Sequence, residues 1–226
     1  MSDILEEIVA RKQRDVAEAK EQMPEGQLHR LVEHQMATDA DANAARRSMS
    51  QALLQSNTGI IAEFKRRSPS KGWIKEEGRP EIIPPAYEQA GASALSILTD
   101  NPYFGGSQTF LQAARPLVHI PILRKDFVID EYQIIEAKAI GASAVLLIAA
   151  VLDDAQMKAF FDLAHSLGLD CLVEVHTAGE VGRAQKLRPR LLGVNNRNLK
   201  TFEVDLGHTA ELASLRTPGE LFVSES

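Results

Sequence analysis

The stretch Gly59-Ile60-Ile61-Ala62-Glu63-Phe64-Lys65-Arg66-Arg67-Ser68-Pro69-Ser70-Lys71-Gly72 passes from an apolar run into a charged one without a break. The run from Ile60 to Phe64 reads as a buried strand. Side chains alternate along a strand, so Glu63 and Lys65 point to the same side. Opposite charges on the inward side of such a strand are costly unless they are paired or used. The Ser-Pro-Ser-Lys-Gly loop beyond them offers hydroxyls, an ammonium and a flexible backbone to an anionic ligand. The competing reading is a structural ion pair at a strand end.

Outward from this strand, short apolar runs alternate with amphipathic segments. The runs cover 60–64, 94–98, 120–123, 144–148, 171–175, 191–194 and 221–223, with helical patterns near 85–90, 107–116, 131–140, 154–166, 177–187 and 205–215. Continuous apolar strands alternating with helices predict a parallel sheet covered by helices. Gly91 and Gly141 stand in the same Gly-Ala-Ser setting before a strand, and Gly168 does the same before Leu169, as helix-ending glycines do. Pro84-Pro85 place a helix start, or a distorted first turn, near 84. Residues 1–57 hold helical patterns instead: 3–20 with Asp3 as N-cap, 27–36 and 44–55, with a loop over 37–42. Two regions follow: a helical extension over 1–57 and a barrel-type α/β region over 58–226.

The bulk numbers exclude several classes. The chain has 226 residues with net charge −6 and no block of one sign, which argues against nucleic acid or an anionic membrane as partner. Cys171 is the single cysteine, so no intrachain disulfide forms, and a reducing compartment fits. The longest apolar run, Ala144 to Leu152, falls far short of the roughly 20 residues a spanning helix needs. The start of the chain is acidic and resembles no signal peptide, which makes the cytoplasm the expected setting.

Charged and amide side chains collect at the strand exits: Glu63 and Lys65, then Arg124-Lys125-Asp126, Glu174, Asn195-Asn196-Arg197, and Ser224-Glu225-Ser226. Ligand sites of parallel α/β folds lie at that carboxyl edge. No G-x-G-x-x-G or P-loop follows the first strand, so a closed barrel is favoured over an open doubly wound sheet. Histidines and the cysteine do not cluster, which predicts no metal site. His176 follows Glu174 by two, as a supporting or solvent-facing group would. Asp153-Asp154 read as a helix cap. Ser68 and Ser70 lack the His and Asp context of a triad. Trp73 and Phe104 read equally as pocket wall or as loop packing.

These motifs, in this order, resemble the indole-3-glycerol-phosphate synthase family of tryptophan biosynthesis. The matching segments are Glu63 to Gly72, Leu98-Thr99-Asp100 with Tyr103 to Ser107, and Arg124 to Phe127. Leu172 to Val175, Gly193 to Leu199 and Ser224-Glu225-Ser226 complete them. The resemblance implies a (β/α)8 TIM barrel with an N-terminal helical extension and no cofactor. It implies a carboxy-lyase that closes the ring of 1-(2-carboxyphenylamino)-1-deoxyribulose 5-phosphate. By the same resemblance Lys125 is the general acid and Glu174 the base, flanked by Glu63 and Lys65. Ser68, Asn195 and Arg197 position the substrate. Glu225 is an auxiliary carboxylate, and Ser226 begins a phosphate-binding loop.

The sequence ends at the exit of its seventh strand, Ser226, so the barrel is expected to be truncated after strand 7. Two open sheet edges would invite self-association or a complementing C-terminal segment, and the chain alone is expected to be weakly active or inactive. The alternatives are a non-catalytic incomplete barrel, acting as fragment or assembly partner, and a phosphoribosylanthranilate isomerase. The latter family is expected to carry a cysteine at the end of strand one, where Glu63 and Lys65 stand.

Overall fold

A computed structural model describes residues 4–38, 48–197 and 203–226. The expected cap Asp3, most of the expected loop over 37–42, the beginning of the expected helix over 44–55, and Asn198 and Leu199 lie outside the described residues. Helix α1 (Ile4–Gln22) buries Ile8, Lys12 and Val16, one face at a spacing of four. Helix α2 (Glu25–Thr38) buries Leu28 and Val32. Short α3 (Met49–Leu54) is N-capped by Ser48, whose hydroxyl also donates to Asp170 Oδ2 at 2.7 Å.

Strand β1 (Ile61–Phe64) follows, and then the antiparallel pair β2 (Arg67–Ser68) and β3 (Gly72–Trp73). Helix α4 (Ile83–Gln89) carries its prolines in the first turn, where a missing N–H costs nothing. Next come β4 (Ala94–Leu98), α5 (Asn101–Phe104), α6 (Gln108–Ala114) with a 3-10 turn, β5 (Ile122–Lys125) and α7 (Glu131–Ala139). The chain continues through β6 (Ala144–Ile148), α8 (Asp154–Ser166), β7 (Asp170–Val175), α9 (Ala178–Gln185), β8 (Leu191–Asn195), α10 (Gly207–Ala213) and β9 (Leu221–Glu225). The expected strands and covering helices are all present, with ends moved by a few residues. The β2–β3 hairpin and α5 were not anticipated. Gly91, Gly141 and Gly168 do end helices, with φ of 93, 90 and 70°.

All ladders of the main sheet are parallel, in the order β1-β4-β5-β6-β7-β8-β9. The period of two sorts the side chains into two cores. Val145, Leu147, Val173, Val175, Leu192 and Val194 pack outward under the helices. Ala94, Leu123, Leu146, Leu172 and Leu191 face the interior, floored by Met49. Each fully buried aliphatic side chain of this kind contributes about 1.5–3 kcal/mol.

Seven flat strands at about 4.8 Å spacing would hold their edges nearly 30 Å apart. Here Ile61 of β1 and Leu221 of β9 line the same cavity, of about 540 Å³, so the sheet is curled as in a TIM barrel. Two edges stay open, as expected for the first and seventh strands of the sheet. Among the described residues β1 pairs only with β4 and β9 only with β8 in this sheet, leaving two edges that face each other.

Candidate active site

The inward positions nearest the carboxyl edge of the curled sheet are polar. Continuing the alternation from the interior core gives Glu63 on β1, Lys125 on β5, Glu174 on β7, Asn195 on β8 and Glu225 on β9. With Lys65, Ser68, Arg197 and Ser226, all nine expected site residues line one cavity of about 380 Å³. The same cavity is also lined by apolar side chains, among them Ile4, Leu5 and Ile8 of α1, with Phe104 and Phe127.

At its centre the Lys125 ammonium donates to Glu174 Oε2 at 3.1 Å and to Glu225 Oε2 at 2.6 Å. Burial pushes the Lys125 pKa down, but Glu225, Glu174 and Glu63 outweigh it and hold the amine protonated well above its ordinary range. Glu174 is also buried, which would raise its pKa; Lys125, His176 and the amide of Asn195 overcome this and hold the carboxyl below its usual value. Asn195 Nδ2 donates to Glu174 Oε1 at 3.1 Å. Glu225 goes the other way: burial and the nearby Glu174 raise its pKa against the pull of Lys125. Two carboxylates sharing one ammonium are thus pushed apart, one toward the anion and the other toward the acid.

Around this centre Lys65 is paired with Glu63. The Ser68 hydroxyl accepts from the Lys71 backbone N–H at 3.2 Å, holding the loop after β1 closed. The Asn195 side-chain carbonyl accepts from the Arg197 N–H at 2.9 Å, which turns the chain at the β8 exit. The imidazole of His176 lies 3.7 Å from Glu174 and 3.8 Å from Glu180, a supporting position rather than a cavity-lining one. Phe104 is a cavity wall. Trp73 is about half exposed and serves loop packing, its ring under the guanidinium groups of Arg66 and Arg67. Asp153 caps α8 in a reciprocal box with Gln156, whereas Asp154 pairs with Arg183 and Lys186.

Several contributors to the site carried no role in the sequence reading. Asn196 Nδ2 donates to Ser224 Oγ at 2.8 Å and to the Glu225 carbonyl at 3.1 Å, pinning the end of β9. Gly193 faces the cavity floor, where a Cβ would sit 2.2 Å from Glu225 Oε1. Gly193→Ala is therefore expected to displace Glu225 from Lys125. On the expected role of Glu225 as an auxiliary carboxylate, kcat should fall by about 10²-fold, the cost of a small misplacement within a site, with an unchanged far-UV spectrum. An unaltered kcat would mean that Glu225 is not needed where it stands. The signal was present in the sequence, since a glycine inside an apolar strand marks close approach.

The family model described as indole-3-glycerol phosphate synthase matches residues 5–226. The chain belongs to the indole-3-glycerol phosphate synthase family. A protein of that name from Bacteroides thetaiotaomicron is 49% identical over 226 residues, covering all of this chain and 84% of the relative. One from Chromobacterium violaceum is 44% identical over 230 residues, again covering the whole chain and 84% of the relative. One from Azoarcus sp. is 47% identical over 212 residues, covering 94% of this chain and 79% of the relative. The family match runs through residue 226, so it lends no support to the expected loss of part of the barrel. A carboxy-lyase of the indole-3-glycerol phosphate synthase type, acting on a phosphorylated small molecule, accords with these matches. No described helix is long and apolar enough to cross a membrane.

Proposed function

We propose that this chain closes the indole ring of 1-(2-carboxyphenylamino)-1-deoxyribulose 5-phosphate, with Lys125 as general acid and Glu174 as base. The observation that carries the reading is the Lys125 ammonium held between Glu174 and Glu225, in a cavity lined by apolar side chains together with cationic and hydroxyl groups. The ring carbon bearing the carboxylate attacks the ketone carbon, and the ketone oxygen takes a proton from Lys125. Loss of CO2 then restores aromaticity. The new hydroxyl leaves as water with a second proton, while Glu174 removes a proton from the adjacent carbon. Two protons reach the oxygen and one leaves carbon; solvent supplies the difference, replacing the charge lost with the carboxylate. No step needs an electron-sink cofactor.

In this scheme Glu63 and Lys65 flank the acid, and Glu225 keeps Lys125 protonated and aimed. Asn195 aligns Glu174. Ser68, Arg197 and Ser226 contact the polar and phosphate parts of the substrate. A cytoplasmic setting is part of the reading, and a chain with one buried cysteine is compatible with a reducing compartment.

Turnover by the wild-type chain is followed by the fluorescence of the indole product, and absence of product from authentic substrate overturns the proposal. The open edges of β1 and β9 support a second element. The chain associates through them, or accepts a complementing strand there, and is weakly active alone. A monomer by sedimentation that turns over at about 1 per second or more would remove that element and leave the first intact.

A further inference from the structure

Lys12 is a lysine on the buried face of α1, only 6% exposed, and the scheme above makes no use of it. Its ammonium lies 2.7 Å from Asp100 Oδ1 and 2.8 Å from Asp126 Oδ1, both carboxylates almost wholly buried. Each partner belongs to a segment that ends in the cavity. Asp126 stands between Lys125 and Phe127 at the β5 exit. Asp100 caps α5, accepting from the Tyr103 N–H at 3.2 Å, and α5 ends at Phe104. The Phe104 and Phe127 rings meet with centroids 6.0 Å apart. On α1 itself, one and two turns before Lys12, Ile8 and Ile4 with Leu5 line the same cavity. One ammonium therefore joins three segments that each contribute apolar side chains to the cavity.

An apolar helix stripe cannot fix this arrangement alone. Its side chains recur every three or four residues, so a helix displaced by one turn buries nearly the same surface. A buried charge is not interchangeable with its neighbours. Shifted by a turn, about 5.4 Å, Lys12 would lose both carboxylates, leaving buried Asp100 without its ammonium and Asp126 with Arg124 alone as countercharge. Polar groups of this kind are best attested as devices that set register.

We propose that Lys12 is a positioning residue that locks the register of α1, so that its first turns close the apolar side of the cavity against Phe104 and Phe127. The inference rests on the proposed function for its kinetic reading, since that wall would hold the aromatic part of the substrate. Lys12→Met is expected to raise KM by about 10-fold or more, with kcat changed less than about 3-fold, at a temperature where circular dichroism shows a folded chain. Lys12→Met with Asp100→Asn removes one of the stranded carboxylates while keeping a residue able to cap α5. This pair should recover thermal stability but not KM. A merely structural lysine would lower Tm and leave KM alone.

Hydrogen exchange without substrate gives a second readout. In Lys12→Met the amides of 4–22 should exchange at least about 10-fold faster, while those of β5 and β6 keep their wild-type rates. Unchanged KM in either folded variant, recovery of KM by the double change, or unchanged exchange in α1 would each overturn the proposal. If the wild-type chain makes no product, the proposed function fails, and exchange in α1 still decides whether Lys12 sets the register.

Discussion

Lys125→Ala is expected to lower turnover by about 10²–10⁴-fold, the contribution typical of a positioned acid, while leaving the far-UV spectrum and substrate affinity nearly unchanged. The change removes the proposed proton donor and also the countercharge that Glu174 and Glu225 share. Two carboxylates facing each other without that ammonium cannot both stay ionised, so one takes up a proton and Glu174, the proposed base, is protonated in part of the population. The pH dependence follows from the same geometry. The Lys125 pKa is raised, so its ammonium persists beyond the ordinary lysine value near 10.4 and activity is not lost from this group below it. The Glu174 pKa is lowered, so its carboxylate persists down to below about 4.3. Neither group should bend the profile of kcat/KM between about pH 5 and 9. A limb in that window belongs to Glu225 or His176, both shifted upward. Turnover of Lys125→Ala above a few per cent of wild type would end the assignment of this lysine as acid.

How far the sequence carried this picture depends on the range over which each signal acts. Period-two alternation is local, and it was enough to put Glu63 and Lys65 on one side, while the polar strand exits marked residues that line the cavity. It did not resolve Arg124-Lys125-Asp126, which read as one polar exit. Applied residue by residue, alternation sends Lys125 inward and Arg124 outward under α7, and only the first faces the cavity. Lys12 was illegible for a different reason. A lysine within a charged helix reads as solvated, and its burial depends on Asp100 and Asp126, which only the tertiary fold brings near. Trp73 and Phe104 could not be separated because both sit in exit loops; what separates them is the approach of Gly105 against the Trp73 ring, again a contact between loops. The parallel, helix-covered sheet was legible from strand and helix periodicity, its barrel-like curl from the missing Gly-rich loop and the resemblance, and its two open edges from the number of strand runs.

Arg124→Met is expected to cost about 3–5 kcal/mol of folding stability, the range for removing one partner of a buried ion cluster. The guanidinium is 2% exposed, and its donors are committed in several directions. It reaches Glu136 at 2.8 Å, Asp126 at 3.2 Å, the Gln133 carbonyl at 2.8 Å and Thr99 Oγ1 at 3.2 Å. Methionine keeps most of the stem volume, so the loss measures charge and hydrogen bonds more than a cavity. Urea denaturation of both chains at pH 7 gives the difference, and a value under about 1 kcal/mol would show that the cluster is nearly neutral in energy. The sign of its pH dependence is also fixed. Burial raises the Asp126 pKa, but Lys12, Arg124 and Thr99 together bring it below its ordinary value. Its stabilising contribution is therefore complete above about 3.9, and is lost as pH falls through the lowered native pKa. Without Arg124 that lowering shrinks, so the gap in stability between the two chains should narrow on acidification. A gap that stays constant down to the acid transition would place the cost in packing, not in the loss of charge from between Asp126 and Glu136.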